Sequence, residues 1–189
     1  MNKGMGFVNN NSSLENALNE LKTVIENNLS GKQKGNMEQW LKTWKIYIER
    51  ERNFKPHLNI KYTPGDIVSV CYGYNVGSEQ GGNRPSVVLE DNDLSDKTVM
   101  VVPLASLKPD ETEEGVHFKN VYLGELTEFN TASRKPSGTR SKVLIHQMRT
   151  ISKQRIIRPT KEEHTVINIG EDNLKLVYAK IKELYTTKF

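Results

Sequence analysis

The sequence predicts an α+β fold, mainly β, in which a small, strongly bent antiparallel sheet or barrel carries a C-terminal helix and follows a two-helix extension. Three observations predict it. Apolar residues recur at helical spacing before residue 50, short β-rich runs separated by turn residues fill the middle, and one more helical stripe closes the chain.

The first stripe is Leu14, Ala17, Leu18, Leu21, Ile25 and Leu29, with Ser12 and Glu15 spaced as a capping box at its start. "SGKQKGN" then reads as a break, and Met37, Trp40, Leu41, Trp44, Tyr47 and Ile48 resume the period with Asn36 placed to cap. Two such helices cannot bury their stripes alone, so the reading is an antiparallel hairpin whose stripe is core against the main domain or another subunit. The expected organisation is a disordered 1–12, a hairpin and linker over 13–55, and the main domain over 56–189. Residues 53–66, "NFKPHLNIKYTPGD", carry two prolines and little period, and read as linker.

"DIVSVCYGY", "PSVVLED", "KTVMVVPLAS" and "KVLIHQMRTI" each read as one strand, and "GVHFKNVYLGEL" as a hairpin or edge strand. Residues 131–142, "TASRKPSGTRSK", form a basic loop whose charges are either solvated or set against a phosphate backbone. Leu174, Val177, Ile181 and Leu184 make the last helix, with Asp172 suited to its N-terminus.

Composition narrows the function. A net charge of +4 permits a polyanion partner without demanding one. The single cysteine, Cys71, excludes a disulfide framework, and His57, His117, His146 and His164 lie too far apart in sequence for a ligand motif, so no metal centre is expected. Nucleotide-cofactor fingerprints and the serine-hydrolase elbow are missing, which leaves no cofactor to predict. No apolar run approaches a membrane span or a signal peptide, so a cytoplasmic protein is expected.

What remains is chemistry near strand ends. In "GSEQGGNRP", residues 77–85, three glycines free the backbone, while Pro85 fixes φ directly after Arg84 and cannot extend a central ladder. Arginine's planar fork suits the charge that builds on a phosphoryl group during in-line attack. Ser78, Glu79, Gln80, Gly81 and Asn83 belong to the same loop and strand start, whose side chains and exposed backbone suit hydrogen bonding to a ligand. Glu79 is either a general-base candidate or a residue that shapes the turn or positions a substrate. Tyr72 and Tyr74 either stack on bases or are half-buried strand aromatics.

"GDIVSV", "GSEQGGNRPSVVLE", "VMVVPLAS" and "VLIHQMRTISKQRI", in this order and spacing, resemble the MazF/PemK (Kid) family of toxins from toxin–antitoxin systems over roughly residues 62–187. The resemblance implies an SH3-like barrel that forms a homodimer, and a metal-independent endoribonuclease that cuts single-stranded RNA at short sequence motifs. Attack by the ribose 2′-OH would leave a 2′,3′-cyclic phosphate and a 5′-OH. The family's catalytic arginine falls on Arg84 and its catalytic threonine on Ser106, which keeps the hydroxyl and loses the methyl. Gln147 of the family's QxR motif either lines the RNA groove or is structural, and Arg149 adds charge there; for Arg155 a salt bridge is preferred. The implied partner is a cognate antitoxin that inserts an acidic segment into the groove. The other function classes are a CcdB-type module that poisons gyrase without cutting, and a degenerate toxin fold turned interaction protein. The helical pair lies outside the resemblance and would widen a dimer interface, shield the barrel, or cover the groove in place of the antitoxin.

Overall fold

The computed structural model describes residues 11–186. Of the tail expected over 1–12, residues 1–10 and the side chain of the expected cap Ser12 lie outside that description, whereas the backbone of residues 11 and 12 opens the first helix. The chain divides into two compact units, Met1–Ile46 and Tyr47–Phe189.

The first unit holds α1 (Asn11–Asn28) and most of α2 (Gly31–Arg50). The break between them is shorter than the sequence suggested, and Asn36 lies inside α2 rather than capping it. The start is set instead at Ser30, whose N–H donates to the Gln33 side-chain oxygen at 2.9 Å, the reciprocal half of a capping box. Trp40 and Trp44 stack one turn apart with ring centres 6.5 Å apart. Within the chain the stripe is largely uncovered: Leu14 is 65 % and Leu18 56 % exposed, and α2 has no buried residue.

The second unit is a seven-stranded antiparallel sheet in the order β4-β5-β3-β2-β1-β7, with β6 also on β3. Its strands are β1 (Ile67–Cys71), β2 (Asn83–Val88), β3 (Thr98–Ser106), β4 (Asn120–Glu125), β5 (Arg140–Leu144), β6 (Arg149–Ser152) and β7 (Ile156–Arg158). Residues alternate between faces along a strand, and here both faces are covered. Ile67, Val87, Val102 and Leu104 enter one core with Phe129 of α3 (Thr127–Ala132) and Val177 of α4 (Glu171–Tyr185). Val68, Val70, Val88, Val99 and Val101 enter the other with Tyr62 and Tyr72. Two buried faces are why these strands read as continuous apolar runs.

Three expectations are corrected. Residues 53–66 are not a loose linker, because Tyr62 is fully buried and its hydroxyl donates to the Pro159 carbonyl at 2.8 Å. "KVLIHQMRTI" is two strands, since β5 pairs with Leu104–Ser106 of β3 and β6 with Thr98–Val101, and a 3₁₀ turn at Ile145–Gln147 steps between them. Pro85 does lie in a central strand, paired to Ser69 on the β1 side. The β3 ladder begins only at Ser86, the next residue with an N–H to give.

Candidate functional site

One end of the sheet gathers the residues of interest. β2 starts where its antiparallel neighbours β1 and β3 finish, so Asn83 and Arg84, Cys71, and Ser106 share that rim, and Ser141 of β5 pairs with Ser106 there. Arg84 follows the row of Ser86 and Val88, whereas Ser106 follows that of Val102 and Leu104, so the two reach the rim from opposite faces of the sheet.

The loop between β1 and β2 is tied at several levels. Tyr72 N–H donates to the Gly82 carbonyl at 2.9 Å, and Gly82 N–H to the Gly73 carbonyl at 2.7 Å. Asn75 Nδ2 donates to the Gln80 carbonyl at 2.6 Å. Gln147, from the 3₁₀ turn, accepts the Gln80 N–H on Oε1 at 3.1 Å and donates through Nε2 to the Ser78 carbonyl at 3.4 Å. The freely moving loop expected from its glycines is thus latched from outside. Gly81 is needed for another reason: a Cβ there would stand 2.9 Å from the Gly73 carbonyl oxygen.

Arg84 is exposed, and its Nε donates to the Gly81 carbonyl at 3.0 Å, which orients the fork and leaves its other N–H groups without a partner among the described residues. Glu79 is exposed near the loop tip; its backbone N–H donates to Val76, and its carboxylate has no partner among the described residues. Asn83 is exposed as the first residue of β2.

The tyrosines split. Tyr72 is only 2 % exposed and hydrogen-bonds the Ser86 hydroxyl at 2.8 Å, so base stacking on it is ruled out in this conformation; burial raises its pKa. Tyr74 is half-buried. The Arg149 guanidinium lies 5.3 Å from the Tyr72 ring centre. Arg155 donates to the carbonyls of Cys71 and Tyr72, both at 3.1 Å, and so braces the end of β1.

Ser106 is exposed, and its hydroxyl oxygen accepts a hydrogen bond from Lys135 Nζ at 3.0 Å. Lys135 is the functional candidate that sequence reasoning passed over. It appeared only as one charge in the basic 131–142 loop, and nothing in the spacing links it to Ser106, 29 residues away. Among the described residues no group of three or more His, Cys, Asp or Glu is placed to hold a metal ion, and no helix is long and apolar enough to cross a membrane.

This is an α+β fold in which Arg84 and Ser106 stand at one rim of an antiparallel sheet. The chain belongs to the family described as PemK-like, MazF-like toxin of type II toxin-antitoxin system, whose model matches residues 63–185. Among solved structures, the chain is similar to MazF from Deinococcus radiodurans at 19 % identity, covering 68 % of this chain and 100 % of that one with a TM-score of 0.44. It is also similar to a MazE-MazF structure from the same organism at 18 % identity, covering 69 % of this chain and 100 % of that one with a TM-score of 0.42. No curated protein matches.

Proposed function

We propose that the protein is a toxin that acts as a metal-independent, sequence-specific endoribonuclease on single-stranded RNA. The observation that carries the reading is the pairing of an exposed arginine fork with an exposed hydroxyl, Arg84 and Ser106, at adjacent strand ends of one sheet rim. In this reading the scissile phosphate lies across the rim, with one group on each side.

In the proposed step the ribose O2′ attacks phosphorus, the P–O5′ bond breaks, the 2′-hydroxyl loses its proton to a base, and the departing O5′ takes one up. The products are a 2′,3′-cyclic phosphate and a 5′-OH. Arg84 stabilises the charge that grows on the non-bridging oxygens and Ser106 donates a hydrogen bond to one of them. Glu79, whose carboxylate has no partner among the described residues, is the candidate base. Ser78, Gln80, Gly81, Asn83, Gln147 and Arg149 form the surrounding RNA surface.

The working form in this reading is a cytoplasmic homodimer, neutralised by a cognate antitoxin; the family's own description places its members in toxin-antitoxin systems. Incubation of a mixed-sequence single-stranded RNA with the protein in excess EDTA tests the activity. Cuts at a recurring short motif with cyclic-phosphate ends support the reading. RNA that stays intact across the pool refutes it and leaves a non-cutting binding module.

A further inference from the structure

We propose that Lys135 is a positioning residue for the Ser106 hydroxyl, holding it by its oxygen so that its own proton is directed to the phosphate. This rests on the nuclease reading above.

The direction of the bond follows from the donors available. A lysine ammonium has three N–H groups and no lone pair, so in the 3.0 Å contact Ser106 Oγ accepts. A serine hydroxyl has one proton, and among the described residues that of Ser106 has no acceptor. Lys135 therefore takes the oxygen's lone pair and leaves the O–H free for an incoming oxygen, the polarity that a phosphoryl group requires.

The lysine is itself held in place. α3 ends in a Schellman motif, in which Arg134 N–H donates to the Thr131 carbonyl at 3.1 Å and Lys135 N–H to the Asn130 carbonyl at 2.8 Å. Arg134 occupies the left-handed position of that motif with φ 54°. This geometry turns the Lys135 stem back over the last turn of α3, where Nζ stands 4.5 Å from the centre of the buried Phe129 ring. Beyond it, Glu125 accepts the Gly138 N–H at 2.6 Å and Asn130 Nδ2 at 3.4 Å, which pins the following loop.

Lys135 also has no carboxylate partner among the described residues. Burial lowers its pKa, as expected of an ammonium held partly out of water, where a charge acts more strongly on its neighbours. An uncompensated cation bound to an exposed hydroxyl is an arrangement completed by an anion.

The test is a double-mutant cycle read by single-turnover cleavage. The substrate is the mixed-sequence RNA first, then an oligonucleotide bearing the recovered cut site. Lys135→Met keeps the apolar stem on Phe129, and its urea midpoint is checked against wild type before assay. Lys135→Met is expected to cut about ten- to a hundredfold more slowly, Lys135→Arg to recover part of that loss, and Ser106→Ala/Lys135→Met to be no slower than Ser106→Ala alone. Losses that multiply in the double variant, or a Lys135→Met protein as fast as wild type, overturn the positioning role and leave the nuclease standing. A wild type that leaves RNA uncut overturns the nuclease and this role with it.

Discussion

The carboxamide of Gln147 accepts the backbone N–H of Gln80 at 3.1 Å, joining the turn between β5 and β6 to the loop that precedes Arg84. Its other end holds the Ser78 carbonyl. A single side chain thus fastens one flank of the loop, and the glycines alone do not decide how it moves. Gln147→Ala should raise the hydrogen-exchange rate of the Gln80 amide while costing about 0.5–1.5 kcal/mol of stability. Unchanged exchange at Gln80 would show that the loop is held without this latch.

Gly81→Ala meets backbone rather than side chain, since the added carbon would lie 2.9 Å from the Gly73 carbonyl oxygen. Neither partner relaxes cheaply, because Gly73 also accepts the Gly82 N–H. Urea denaturation should record a loss of about 1–3 kcal/mol. A wild-type midpoint would mean that the loop yields at no cost.

Arg134 adopts a conformation that glycine takes freely and other residues do not. Arg134→Gly should therefore raise stability by about 0.5–1 kcal/mol without moving Lys135, measured as a shift in the thermal midpoint. A fall would mean that the arginine side chain compensates its own strain.

Stability should decline in alkali through the buried tyrosines. Burial, followed by the Asp66 carboxylate, raises the Tyr62 pKa, and burial raises that of Tyr72. Both phenols hold their protons more tightly in the folded state, so their contribution is whole below the ordinary tyrosine value of about 10 and is lost as pH climbs above it. Tyr62→Phe should cost about 1 kcal/mol near neutrality by removing the bond to Pro159, and should flatten the alkaline fall. Urea titrations of both proteins from neutral pH to above 10 measure it, and parallel declines would contradict it.

What the sequence could and could not reveal follows from where each signal resides. β3 was legible along nearly its whole length because its apolar run sits between turn residues and is buried on both faces. The break between β5 and β6 was not, because the handover from one to the other along β3 is a tertiary fact with no glycine or proline to mark it. α3 is six residues long and too short to show a period. The α2 start was misplaced because Asn36 is a good cap by type, whereas Ser30 and Gln33 supplied the working bond. The proposed pair, Arg84 and Ser106, rests on motif order and on the family resemblance that the motifs carry. Lys135 was hidden because its helix ends on an arginine where the usual marker is glycine.

The most direct measurement compares wild type, Arg84→Ala and Arg84→Lys on one single-stranded RNA in excess EDTA, with the new ends identified chemically. Wild type should leave cyclic-phosphate ends, Arg84→Ala should lose cutting by about a hundredfold or more, and Arg84→Lys, where a point charge replaces the fork, should recover little of it. Equal cutting by wild type and Arg84→Ala, or none by either, would contradict the proposed mechanism.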